Sequence, residues 1–324
     1  MSNVANIYNC GGAGLNIGNH FVKYNNKKDP GFAEIKTFFI DTSKSNIAPS
    51  IPAEQVYLVD GLDGSGKKRD TNYTALSECS KEILHQFKPA DVNIVIHSTS
   101  GGSGSVLGPI LVSELLSREA LTIVILIGGT SSKIETENTL KTLKSYEMIS
   151  HKRKMPVVAA YKENSALKPR GVVDAEIQTT IVILAAIFSG NNKELDASDL
   201  KNFINYNNVT SFTPKLALLD FFSKDIVLGK GQSLASLVTL VDEKTSSDVP
   251  MPVEYQAVGF LPEVTKEAVS VELPIHACVI TGYFNAVADG LDAKLAEYDE
   301  ARKVVVEKSI VKMDADHTEE GLIL

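Results

Sequence analysis

Cysteine is scarce in this chain. Cys10, Cys79 and Cys278 are odd in number, far apart and outside any CxxC pair, which excludes a disulfide framework and leaves reduced thiols. The six histidines show no HxxxH or HExxH spacing, so no zinc site is expected. A long apolar run is missing too. The longest, residues 181–188, falls far short of the ~20 that a membrane helix needs. Nor does the chain open on a basic stretch followed by an apolar one, so we expect no signal peptide, no membrane partner and a cytoplasmic location. With a net charge of −8 and no uninterrupted basic stripe, direct nucleic-acid binding is not expected either. There is no internal repeat and no low-complexity linker.

What is present is an ordinary globular composition: 324 residues, 44% hydrophobic and 22% charged. That length suggests two domains, with a core large enough to need no covalent staples. In the first half, β-branched runs at 4–9, 37–40, 55–59, 92–97, 121–127 and 156–161 read as buried strands. Helical patterns lie between them at 73–87, 106–117 and 138–150. The alternation predicts an α/β fold with a mostly parallel sheet covered on both faces, and ligands of such sheets bind where the strands end. Residues 172–188 are helix-length and apolar all round in their second half, the signature of a helix buried in the middle of a structure. Gly190 suits the left-handed turn that ends it, and Asp196 suits the N-cap of a helix over 195–206. The second half reads as a smaller α+β unit, with strands at 215–222, 252–260 and 275–284 and one helix near 232–241. A long charged helix over 286–312 follows, then an acidic tail.

Three glycine-rich segments each follow a predicted strand. The first holds Gly11, Gly12, Ala13, Gly14, Leu15, Asn16, Ile17 and Gly18. A strand feeding such a turn and then a helix offers N–H groups and a positive dipole end to an anion. Ile17 stands where a dinucleotide fingerprint needs its third glycine; a tight structural turn is the alternative. The second, with Gly61, Gly64, Ser65, Gly66, Lys67 and Lys68, approaches the P-loop pattern, but Lys68 replaces the hydroxyl residue that ligates magnesium, and no apolar helix follows. It reads as a phosphate-facing loop or as a surface turn. The third, Ser98, Thr99, Ser100, Gly101, Gly102, Ser103, Gly104 and Ser105, places hydroxyls and backbone donors at a helix N-terminus and reads as an anion site.

The residues from Ser100 to Ser105 resemble the tubulin signature GGGTGSG, and Gly11, Ala13, Gly14, Ile17, Gly18 and Asn19 resemble the first nucleotide loop of α-tubulin, GQAGxQIGN. With the stretch from Ser103 to Pro109 and the acidic tail, the chain is similar to the tubulin/FtsZ superfamily, and within it to phage tubulins. The resemblance implies a GTP-binding domain over 1–170, a central helix over 171–190, a C-terminal domain over 191–285, and a helix with acidic tail over 286–324. It implies GTP or GDP with Mg2+ as cofactors. Phosphates would lie against the first and third loops, with the second loop near the γ-phosphate and magnesium. Asp41, at the end of a strand, would stand on the magnesium side; a plain turn aspartate is the alternative. Glu135 or Glu137 would meet the ribose and Asn138 the base. Val172, Val173, Asp174 and Ala175 resemble the LLDAF start of the FtsZ central helix, whose carboxylate reads the N1–H and N2–H₂ donors of guanine; Asp174 could also be only a dipole partner.

Residues 195–200 resemble NVDFADV of FtsZ, a loop whose acids serve the nucleotide of the next subunit. Asp196 and Asp199 are therefore the expected catalytic pair, three apart on one side of a helix start; a cap and a surface aspartate is the bland alternative. Glu194 stands in place of a family Asn. The implied protein is a GTPase that assembles head to tail with itself, since heterologous contacts that do not close make filaments. Phage DNA or a capsid would be its indirect cargo, in the cytoplasm of the infected bacterium. The acids Asp314, Asp316, Glu319 and Glu320 of the tail would dock on a neighbouring subunit, with Lys152, Arg153 and Lys154 as one basic partner. Two other readings stay open: an assembly protein that binds nucleotide without turnover, and a Rossmann-type dinucleotide enzyme.

Overall fold

In the computed structural model, residues 3–24, 31–222, 233–244, 247, 252–268 and 274–307 are described. The first half runs β1 (Val4–Cys10), α1 (Gly11–Gly18), β2 (Glu34–Asp41), β3 (Val56–Leu58), α2 (Tyr73–Gln86), β4 (Val92–Ser98), α3 (Ser103–Ser117), β5 (Thr122–Gly129), α4 (Lys133–Arg153) and β6 (Val157–Asn164). Then come α5 (Arg170–Ile187), α6 (Ala197–Ile204), β7 (Leu216–Phe222), β8 (Ser233–Val241), β9 (Gln256–Phe260), α7 (Glu263–Ala268), β10 (Ile275–Thr281) and α8 (Tyr283–Glu307).

All ten strands join one sheet in the order β3-β2-β1-β4-β5-β6-β7-β10-β8-β9. From β3 to β7 every pair is parallel; β10 runs antiparallel to both β7 and β8. Parallel strands need crossover helices, and these cover both faces. Side chains alternate across the sheet, so Ile7, Ile94 and Ile96 pack with α5 and α6 while Tyr8, Val95 and Leu126 pack with α2, α3 and α4. That two-sided burial explains why β5 (TIVILIGG) is apolar throughout and buried at every residue.

The helix α5 is the central helix the sequence predicts, with residues 183–187 all buried. Gly190 beyond it takes the expected left-handed conformation, φ +72°. One element is a correction. The stretch near 232–241, expected as a helix, is the strand β8. Leu234, Leu237, Val238 and Val241 do have helical spacing, but β10 and β9 pair with the segment on its two edges and it is buried over 234–241. Burial on both faces removes the alternation that marks a strand, and sheet pairing overrides local propensity. The long C-terminal helix begins at Tyr283, three residues before its expected start, and docks on α4. The acidic tail and its four named acids lie outside the described residues.

Candidate active site

At its C-terminal end β1 passes directly into α1, and β4 passes through residues 99–102 into α3. Both helices aim their N-termini at one cavity of about 290 Å³, lined by residues 10–13, Asp41, Asn46, Gly64, Ser65, Ser98 and residues 101–104. Free N–H groups and the positive dipole ends of α1 and α3 make this an anion site. The third loop enters its helix at Ser103, three residues earlier than expected. The first and third loops touch. Gly11 has φ +71°, and a Cβ there would lie 3.0 Å from Gly104 Cα; a Cβ on Gly104 would lie 2.8 Å from the Cys10 carbonyl oxygen. Only glycine permits this approach.

At the rim, Asp41 is buried and accepts hydrogen bonds from the Thr42 N–H (2.6 Å), the Ser43 N–H (3.3 Å) and Asn46 Nδ2 (2.8 Å). Burial raises the pKa of this carboxyl and the three donors oppose the rise. A hydroxyl contact of 2.7 Å between Thr42 and Ser103 fixes the strand end to the third loop. The second loop adds Gly64 and Ser65 to the lining, and Ser43 donates to its Asp63 at 2.6 Å. It is no P-loop, because α2 starts only at Tyr73. Lys67 pairs with Glu135 at 2.5 Å.

The other expected nucleotide residues, Gly14, Asn16, Gly66, Ser100, Ser105, Glu135, Glu137, Asn138 and Asp174, do not line this cavity. Gly14 lies within α1, and Gly66 lies in the turn of the second loop. Ser100 faces Ser98 at 2.9 Å, and Ser105 donates to the Gly101 and Gly102 carbonyls. Asn16 donates to Asp174 (2.9 Å), joining α1 to the head of α5. Glu137 is half-exposed, 4.0 Å from Lys133 and from Lys141. Asn138 is buried and gives its amide to the carbonyls of Lys67 (2.8 Å), Ser100 (3.2 Å) and Gly101 (3.3 Å), so it braces two loops from behind.

Asp196 and Asp199 are not brought to this cavity. They sit beyond the far end of α5, whose 18 residues at ~1.5 Å each span about 27 Å. Asp196 caps α6, accepting from the Ser198 N–H (2.7 Å) and the Asp199 N–H (2.9 Å), and Asp199 returns a bond to the Asp196 N–H (3.1 Å). The second Asp199 oxygen accepts from Tyr255 (3.0 Å).

Sequence reading missed Asn46, which carries no motif, and the buried pair His97 and Tyr146. Burial pushes the pKa of His97 down to about 4. Its neutral ring donates from Nδ1 to the Ser98 carbonyl and accepts from the Tyr146 hydroxyl at Nε2, which holds the start of the third loop. An unfolded histidine gains a proton near pH 6.5 while the folded one resists until about 4. The associated stability is therefore complete above pH 6.5 and is lost as pH falls from there towards 4. Between pH 7 and 4.5 this amounts to about 2–3 kcal/mol. Urea unfolding should show that much less acid sensitivity in His97→Gln than in wild type; equal slopes against pH would rule the assignment out.

Residues 5–153 match the model of the Tubulin/FtsZ family, GTPase domain. A phage tubulin-like protein of Pseudomonas phage phiKZ is 30% identical over 212 residues, which cover 62% of each chain. The match thus spans about three fifths of that relative's length. A solved protofilament of TubZ from bacteriophage PhiKZ superposes with a TM-score of 0.80 at 23% identity, covering 97% of this chain and 96% of the other. The phage tubulin PhuZ with GDP gives a TM-score of 0.83 at 20% identity and 99% coverage of both. At such identities these two structures establish the fold.

Proposed function

From the match of residues 5–153 to the Tubulin/FtsZ GTPase domain we propose that the chain is a member of that family, a GTPase that assembles head to tail into filaments. One observation carries the proposal. Two helix N-termini converge on an anion cavity at one end of α5, while the carboxylate pair Asp196 and Asp199 lies at the other. A cavity whose lining carries donors and one carboxylate, Asp41, becomes complete when a second copy docks its far end, with its acid pair, over the first. Turnover is then tied to assembly. The solved protofilament of the PhiKZ relative supports that stacking.

In this reading the phosphates of GTP or GDP take the N–H groups of the first and third loops, as the GDP-bound relative supports. Asp174, oriented by Asn16, reads guanine, and Glu135 or Glu137 reaches the ribose. The fit of magnesium rests on Asp41, a carboxylate on the cavity wall whose pKa is raised by burial. Among the described residues no three acidic, histidine or cysteine side chains form a metal cage. That suits magnesium, which takes one or two carboxylates plus phosphate oxygens and keeps several waters. Bound there, the ion would offset phosphate charge. Asp196 of the docking copy would orient the attacking water in line with the γ-phosphate. We assign residues 1–170 to nucleotide binding and the part beyond α5 to the activating contact. Cargo such as phage DNA or a capsid, a role for the acidic tail in assembly, and a place in the cytoplasm of the infected bacterium belong to the same proposal.

A second reading is favoured by the capping geometry: if Asp196 and Asp199 only start α6, the chain assembles on nucleotide without turnover. Phosphate release and light scattering, followed together from dilute to concentrated protein with GTP and with ATP, separate the cases. Release per subunit should rise from near zero once scattering appears, and only with GTP. A rate per subunit that stays constant with concentration would mean a complete site in each monomer.

A further inference from the structure

Arg69 follows the second glycine loop and is half-buried, yet among the described residues no carboxylate pairs with it. Its guanidinium donates through Nη1 to the Ser105 carbonyl (2.8 Å) and to Thr142 Oγ1, and through Nη2 to Ser145 Oγ (3.4 Å). Thr142 also touches the Thr99 carbonyl at 3.0 Å. One turn earlier on α4, Asn138 donates to Lys67, Ser100 and Gly101. Positions 138, 142 and 145 share one helix face. That face is therefore a rack on which both loops hang, the third by its carbonyls and the second by the Lys67 carbonyl and the Arg69 fork.

The second loop needs such holding. Gly61, Gly64 and Gly66 all have positive φ, and a Cβ on any of them would meet nothing within 4 Å. Its other side-chain hydrogen bonds among the described residues include Ser43 to Asp63, Asn72 to the Gly64 carbonyl and Lys67 to Glu135, and Leu62 packs on the core. A half-buried cation without a counter-ion is costly unless an anion is near. Here it lies behind the loop whose front, at Gly102 and Gly104, lines the anion cavity.

We propose that Arg69 is a positioning residue that clamps the second glycine loop against the third and, through its unneutralised charge, favours the nucleotide with the extra phosphate. The second half of this rests on the cavity being the nucleotide site; the clamp does not. Arginine suits both tasks, having a planar fork and a charge that persists at any relevant pH.

Wild type, Arg69→Lys and Arg69→Gln would be titrated with GTP and with GDP by calorimetry. Arg69→Gln should lower the ratio of GTP to GDP affinity by about tenfold, the scale of one unit charge acting at intermediate permittivity. Arg69→Lys, which keeps the charge and loses the fork, should recover most of that ratio. Equal weakening of both nucleotides, or a ratio that does not change, overturns the electrostatic role. In parallel, hydrogen exchange without nucleotide should quicken at residues 61–68 in Arg69→Gln and in Arg69→Lys. Exchange identical to wild type in both overturns the clamp. Wild-type protein that binds neither nucleotide overturns the reading of the cavity, and with it the charge effect, while the exchange result still decides the clamp.

Discussion

Asp196→Asn is expected to lower phosphate release by about 100-fold or more, the usual contribution of a positioned carboxylate, while nucleotide binding and assembly persist. The choice of asparagine matters. One Asp196 oxygen accepts the N–H groups of Ser198 and Asp199, and asparagine caps a helix as well as aspartate does. The start of α6 is therefore kept, and only the charge and the outward oxygen change. Asp199 is the less available of the two. Its oxygens accept from the Asp196 N–H and from Tyr255, whose pKa is pushed up to about 12 by burial and then by Asp199 itself, so its hydroxyl remains a donor. Asp199→Ala would break this brace and confound loss of charge with loss of structure. Steady-state phosphate release at a protein concentration well above the scattering threshold is the measurement. Turnover within twofold of wild type in Asp196→Asn would leave the residue as a cap alone and would favour assembly without hydrolysis.

Gly104→Ala should weaken nucleotide binding by about 100-fold, because displacements near 1 Å in a positioned site cost on that order. The added Cβ meets the Cys10 carbonyl oxygen at 2.8 Å, its carbon at 3.5 Å and Gly11 Cα at 3.6 Å. All three are backbone atoms, and Gly11 already uses a conformation open mainly to glycine, so the clash is relieved only by parting the two loops. Overpacking of this kind also costs about 1–3 kcal/mol of stability, which calorimetric melting would register. Gly171→Ala is the control. It lies in the first turn of α5 with nothing within 4 Å of the new Cβ, and alanine there should be neutral or mildly stabilising. Equal affinity of Gly104→Ala and wild type would mean that the two loops do not jointly form the anion site.

By itself the sequence determined the α/β class, the strands of the first half, the three glycine loops and the helix α5. Each of these is written in a local pattern: β-branched runs for strands buried on both faces, glycine where a turn brings backbone to backbone, and apolar residues all round for a helix enclosed by its neighbours. The capping role of Asp196 was legible for the same reason, since its partners are two and three residues away. Tertiary structure decided the rest. The segment 233–241 has helical spacing and becomes a strand because β9 and β10 flank it. Asn138, expected at the base, instead gives its amide to loop carbonyls 37, 38 and 71 residues back in the chain. His97, 49 residues before Tyr146, was equally silent, and so was Arg69, 73 residues before Thr142. A side chain's hydrogen-bond partner at such separations is chosen by how the sheet is ordered, and no local pattern encodes that order.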